Sequence, residues 1–318
     1  MLAALWGVGS YLLSRRAFYE SHYPFCMTGA FERDVNLRRG NFAIRAIFIA
    51  WLDPFPADRV QEIAAVGSLP MITWEPYLKD NRDRSILPDI ADGKYDEMVQ
   101  TFAVAAKAYG APLLLRWGHE PNGNWYSWSG VRNSPELYIA AYRRMHGIFR
   151  VVGADNIKFV FSVNHEDVPA HPNNRFELFY PGSEVVDLVG IDAYNWGDMK
   201  PWGWKEPKKL LYAPYRRAVR AFPGKPLMLS EIGCCSSGGD KLRWVRDFFV
   251  ALPSDFPAVK AFVWFDTRKE CDWSLSNDAG VNAVYEEFAR KRYFSHLAAD
   301  FLAIFGETHD QNGPTAKN

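Results

Sequence analysis

The sequence predicts an α/β fold: a single-domain (β/α)8 TIM barrel over residues 23–300. Three observations predict it. Eight short apolar runs alternate with helical stretches, as in a parallel sheet wrapped by helices. They occupy roughly 270 residues, the span of a closed eight-stranded barrel rather than an open sheet. Aromatic and acidic side chains collect at the C-terminal ends of the runs, the face on which such barrels carry their sites.

The runs are Phe25–Phe31, Phe42–Trp51, Leu69–Trp74, Pro112–Trp117, Ile157–Val163, Val185–Asp192, Pro226–Glu231 and Val259–Phe265. Each is nearly continuously apolar, as expected of strands buried on both faces. Helices are expected at about 57–66, 94–109, 134–152, 206–221 and 240–251, with a last one at about 279–292. Asn133-Ser134-Pro135-Glu136 opens the third of these with a capping residue and a proline in the first turn. The link between the fifth and sixth strands shows only a short helical pattern, at Arg175–Tyr180, and is the weakest part of the barrel assignment.

The chain has 318 residues, with 37 Lys+Arg against 37 Asp+Glu, so it lacks the basic excess of a phosphate-backbone binder. No nucleic-acid partner is expected. With 12 Trp, 15 Tyr and 22 Phe, the chain suits an uncharged ligand with flat apolar faces, of which sugars are one class, although many of these rings belong to the core. Cys26, Cys234, Cys235 and Cys271 form neither a CxxC pair nor a zinc spacing, and Cys234 and Cys235 are too close in sequence to bridge each other in ordinary geometry. No metal site is expected, and the redox compartment stays open. Residues 1–22 begin with an apolar stretch too short for a membrane span. They read either as a membrane-proximal anchor remnant or as a docked helix. Residues 301–318 read as a polar tail.

The chemistry centres on two carboxylates. Glu120 follows the fourth strand and Glu231 ends the seventh. In an eight-stranded barrel these strands face each other across the top, so two carboxyls can flank one reacting centre, as glycoside hydrolysis requires. Arg116 can sit beneath Glu231 and keep it ionised. His119 and Trp125 can position a sugar or shape the surroundings of Glu120. Tyr194 can hydrogen-bond Glu231. Trp264 is either a platform under a pyranose ring or a packing residue. The loop 195–204, with Trp196, Trp202 and Trp204, is either a sugar platform or a self-packed aromatic loop. His119-Glu120 does not continue into a zinc-binding HExxH, because position 123 is Gly. Ser230 lacks a GxSxG elbow, which argues against serine-hydrolase chemistry.

The stretch Arg116-Trp117-Gly118-His119-Glu120-Pro121-Asn122-Gly123-Asn124-Trp125-Tyr126-Ser127-Trp128 resembles the acid/base signature of glycoside hydrolase family 26. Leu229–Gly233 resembles that family's nucleophile strand, Gly190–Asn195 its sixth-strand pattern, Ile72–Pro76 its third, and Trp264-Phe265 with Glu270–Trp273 its eighth. The resemblance runs from about Gly29 to Trp273. It implies a (β/α)8 barrel, retention of anomeric configuration and no cofactor. Glu120 would be the acid/base and Glu231 the nucleophile. His119, Trp125 and Tyr194 would line the cleavage point, with Arg116, Trp74, Trp264 and Asn122 completing the substrate-binding set. The substrate implied is a plant or microbial β-glycan. Trp117-Gly118 and Trp125-Tyr126-Ser127-Trp128 look closer to members that cleave β-1,3-1,4-glucan (lichenase-like) than to the β-1,4-mannanases. A mannanase with the same mechanism is the alternative, and a non-catalytic sugar-binding barrel a more distant one. The expected setting is extracellular, periplasmic or cell-envelope, with the chain a monomer held near a membrane through its N-terminus.

Overall fold

The structure, a computed structural model, describes residues 25–31 and 42–300. The N-terminal segment 1–22 and the tail 301–318 named above lie outside the described residues. The first barrel strand is interrupted at Thr28 and runs as β1 (Cys26–Met27) and β2 (Gly29–Phe31). The next strands are β3 (Ile44–Ala50), β4 (Leu69–Glu75), β5 (Leu113–Trp117), β6 (Ile157–Asn164), β7 (Leu188–Asn195), β8 (Leu227–Cys234) and β9 (Val259–Phe265). All pair in parallel. β2 through β9 follow in chain order, and β9 closes the ring on both β8 and β2. The fourth barrel strand is thus β5 and the seventh is β8. A short β10 (Phe294–Ser295) pairs with β1.

Around this ring pack α1 (Ala57–Ala65), α2 (Leu87–Ala91), α3 (Asp96–Tyr109), α4 (Pro135–Val152), α5 (Pro207–Ala221), α6 (Lys241–Asp255) and α7 (Ala279–Ala289). The α4 helix starts as its sequence dictates. The Ser134 hydroxyl accepts from the Leu137 amide at 3.2 Å, Pro135 takes the first turn, and Gly153 ends the helix at φ 75°. The link after β6 holds only single 3-10 turns, Pro172–Asn174 and Phe176–Phe179, where other units have a full helix. Phe176 and Phe179 still bury their rings there, so the core is covered without one.

Every residue of β8 and β9 is buried, which is why these strands read as unbroken apolar runs. The core fills both the barrel interior and the layer between strands and helices. Toward the C-terminal ends of β4 to β8 the interior turns polar: Thr73, Arg116, Ser162, Asp192 and Ser230 are all fully buried.

Candidate active site

Glu120 sits on a sharp turn just past β5. Its φ is 51°, in the left-handed region that side chains other than glycine avoid, and Gly118 two residues earlier has φ 54°. Long-range bonds hold the turn in this shape. The Glu120 amide donates to the Ser162 carbonyl of β6 at 2.9 Å. The Tyr138 hydroxyl on α4 donates to the Gly118 carbonyl at 3.0 Å, and Trp128 Nε1 donates to the His119 carbonyl at 2.8 Å. The fold therefore supports an unfavourable backbone conformation at the residue expected to do chemistry.

The Glu120 carboxyl is buried and accepts one bond on each oxygen. Asn164 Nδ2 at the end of β6 donates to Oε1 at 2.8 Å, and Trp125 Nε1 donates to Oε2 at 2.8 Å. Burial pushes its pKa well above the carboxylate range, and the charges of Asp192 and Glu231 push the same way against these two donors.

Glu231 lies inside β8. The pairing of β8 with β9 shifts register between Leu229 and Ile232, an irregularity of the bulge kind that lets consecutive Ser230 and Glu231 both reach the interior. Arg116 Nη2 donates to Glu231 Oε1, and the Tyr194 hydroxyl of β7 donates to Oε2. Arg116 also spends Nη1 on both oxygens of Asp192, at 3.0 Å each, and Nε on Thr73 Oγ1 at 2.9 Å. Burial works against the guanidinium charge, but the Asp192 and Glu231 carboxylates outweigh it and raise the Arg116 pKa. Ser230 Oγ donates to Asp192 Oδ1 at 2.6 Å, and Ser162 Oγ reaches both Asp192 oxygens at 3.1 Å. Burial still lifts Asp192 to about 7, with Glu231 adding to it and Arg116 opposing. A Cβ on Gly190 would come within 2.3 Å of Ser230 Oγ, so this layer closes only over a glycine.

His119 is buried with Nε2 at 2.9 Å from the Tyr126 hydroxyl and 4.0 Å from Glu231 Oε1. Burial, and after it the charge of Arg116, lowers its pKa well below 6.5, so it stands neutral.

The structure thus brings Arg116, His119, Glu120, Trp125, Tyr194 and Glu231 together at the C-terminal rim. Three residues expected to touch substrate do not face the cleft. Trp264 is fully buried on the helix side of β9, against Trp244 and Phe248 of α6, and its Nε1 donates to the Trp273 carbonyl at 2.8 Å. It is a packing residue. Trp74 is fully buried too, stacked on Trp51 and on Phe102 of α3. Asn122 is buried as a staple between loops: its Nδ2 donates to the carbonyls of Asn164 and Glu166, and its Oδ1 accepts from the Asn164 amide. Arg116 has no exposed surface and acts through Glu231 and Asp192. In the loop 195–204, Trp196 packs edge-on against Trp273, while Trp202 is exposed.

Sequence reasoning missed Asp192, Asn164 and Tyr126 as site residues. Asp192 and Tyr126 stood in motifs already quoted and Asn164 just past the fifth run, but the partners of Asp192 and Asn164 are distant in sequence. A disulfide joins Cys235 to Cys271, and among the described residues Cys26 and Cys234 are free and buried.

The comparisons agree with this geometry. Residues 89–206 match the model for glycosyl hydrolase family 26. The chain is 36% identical over 244 residues to Endoglucanase H of Acetivibrio thermocellus, a match covering 75% of this chain and 26% of that protein. It is 31% identical over 240 residues to a mannan endo-1,4-beta-mannosidase of Bacillus subtilis, covering 73% of this chain and 57% of the other. The chain spans from about a quarter to a little over half the length of these relatives. Among solved structures it superposes on GH26C of Muricauda sp. with a TM-score of 0.67 at 16% identity, covering 92% of each chain. It superposes on the Bacillus subtilis mannanase man26 with a TM-score of 0.63 at 19% identity, covering 92% of this chain and 91% of that one. Those likenesses show the barrel, the family model and the curated relatives show the lineage, and together they establish that the chain belongs to glycosyl hydrolase family 26.

Proposed function

We propose that the chain is a retaining endo-β-glycanase in which Glu120 is the general acid/base and Glu231 the nucleophile. The observation that carries this reading is the opposite environment of the two carboxyls. Glu231 is held by a guanidinium and a tyrosine hydroxyl, the surroundings of an anion. Glu120 is buried and kept protonated, the surroundings of an acid.

In the first step Glu231 attacks the anomeric carbon while Glu120 gives its proton to the departing glycosidic oxygen. A glycosyl ester on Glu231 results. Glu120, now ionised, takes a proton from water, and that water displaces Glu231 and restores both groups. Trp125, 44% exposed and bonded to Glu120, offers a face to a sugar next to the cleavage point. No step uses a cofactor or metal.

β-1,4-Mannan is the substrate better supported by relatives: curated mannosidases recur among them, and several related structures carry mannanase titles. β-Glucan is the second reading, favoured by the 36% identity to Endoglucanase H. A polymer substrate and the Cys235–Cys271 disulfide both suit an oxidising setting outside the cytosol.

The test is reducing-end release from galactomannan, glucomannan, mixed-linkage glucan and carboxymethylcellulose by the wild type, Glu231→Ala and Glu120→Ala. Wild type should cleave one or two of these. Glu231→Ala should be inactive. Glu120→Ala should lose about 10²–10⁴-fold on natural linkages, the range for a general acid, and far less on an aryl glycoside with a good leaving group. Oligosaccharide binding with no new reducing ends would replace the enzyme reading with a sugar-binding one.

A further inference from the structure

The buried carboxylates under the cleft already have partners. Glu231 takes Arg116 and Tyr194, Glu120 takes Asn164 and Trp125, and Asp192 takes Arg116, Ser162 and Ser230. Glu75, the last residue of β4, differs. It is only partly buried, and among the described residues no hydrogen bond or ion pair reaches its side chain. Its direction follows from the strand pleat. Thr73, two residues earlier, takes the Arg116 bond inside the barrel, while Trp74 between them points out to Phe102. Glu75 therefore points into the same interior as Thr73, at the rim.

A carboxylate in such a place keeps unfilled acceptor sites while losing part of its hydration, which is costly unless a ligand supplies donors. A neutral sugar supplies them, because two neighbouring hydroxyls match the two oxygens of one carboxylate. An acidic sugar would meet Glu75 and Glu231 with the wrong sign.

We propose that Glu75 is a specificity-determining residue: its carboxylate accepts hydrogen bonds from two hydroxyls of a sugar unit on the nucleophile's side of the scissile bond. This rests on the glycanase reading above. The side follows from the hydrogen bonds beside Glu75: Thr73, on the same face of β4, takes Arg116 Nε, and Nη2 of that guanidinium holds Glu231. Burial raises its pKa to about 7. Arg116 opposes that rise, Glu231 adds to it, and Arg82 and Lys269 oppose it from the loops after β4 and β9. Tyr77 and Tyr126 are the other titratable groups that sense it. Trp125 and Asn164 occupy the side of Glu120, where the leaving group departs.

The experiment compares wild type, Glu75→Gln and Glu75→Ala on oligosaccharides of increasing length, cut from whichever polymer the wild type cleaves. Melting temperature is measured alongside. Loss of a hydrogen bond to a charged acceptor predicts KM higher by roughly 10–100-fold in both variants, with kcat changed less and Tm held. Wild-type KM should also rise more steeply than that of Glu75→Gln as pH falls from 8 to 6, because the variant keeps the titration of Asp192 and lacks that of the Glu75 carboxylate. Unchanged KM in both folded variants overturns the proposal and leaves the glycanase reading intact. So does a fall in kcat alone, which would make Glu75 an electrostatic support of Glu231. A wild type that cleaves no polymer overturns both readings together.

Discussion

Glu120 is held between opposing influences. Burial and the neighbouring carboxylates favour its protonated form, whereas the Asn164 and Trp125 donors favour the ionised one. The enzyme needs both forms in turn, so the donors tune the proton rather than merely orient the group. Trp125→Phe keeps a flat apolar face and removes one donor. The Glu120 pKa should then rise further, and the alkaline limb of the kcat/KM profile, where the acid loses its proton, should move to higher pH. An alkaline limb that stays in place or moves down would show that Trp125 serves only as a sugar surface. At this scale the sequence was legible for charge and opaque for direction. The pair Glu120 and Glu231 stood out because they sit at the ends of the fourth and seventh strands, which face each other across an eight-stranded barrel. Trp74 and Trp264 stood at strand ends as well, yet both point into the helix layer. A strand buried on both faces shows no polar alternation, so its sequence does not say which neighbours face the barrel axis.

The elements were legible because apolar runs and helical stretches differ in period: all eight predicted runs overlap the observed barrel strands, and four of them stop one to three residues short at the C-terminal end. The loops were not. Asn122 joins the loop after β5 to the one after β6, and its carboxamide aligns the Asn164 that binds Glu120. Nothing in a window around position 122 announces a partner 42 residues away. The Cys235–Cys271 bond is a second such tie, from the end of β8 to the loop after β9, across a sequence separation of 36. It packs with Phe265 and Trp273, which touch Tyr194 and so reach the Glu231 carboxyl. Closing a loop of that length stabilises by about 4 kcal/mol in the chain-entropy picture. Cys271→Ser should lower Tm by several degrees. A reducing agent should lower the wild-type Tm similarly and leave that of Cys271→Ser unmoved. Equal melting of the two proteins under oxidising conditions would show that the bond contributes nothing to stability.

Over the whole molecule, the site leaves a signature in the dependence of stability on pH. Among the described residues, burial raises the carboxyls of Glu75 and Asp192 to about 7 and that of Glu120 well above its usual 4.5. Between their unfolded and folded values, the folded state binds their protons more readily, so acidification through that window stabilises the fold. Three histidines are lowered by burial: His146 and His165 to about 4, and His119 well below 6.5. Between about 6.5 and 4 the unfolded chain binds their protons first, so acidification through the same window destabilises the fold. The two sets oppose each other, and Tm should be nearly level from pH 6.5 down to about 4.5. Below that, the ion-paired acids whose pKa values are lowered, among them Asp96 with Arg144 and Glu177 with Arg217, begin to protonate, and stability should fall. His146 provides the test because it lies on α4 against Phe159 rather than in the cleft. His146→Gln removes one destabilising proton uptake and leaves the three carboxyls untouched. Its Tm relative to wild type should climb by a few degrees as pH falls from 6.5 to 4.5, whatever constant offset the lost packing introduces. A difference that stays constant across that range would mean that His146 does not stay neutral in the folded protein.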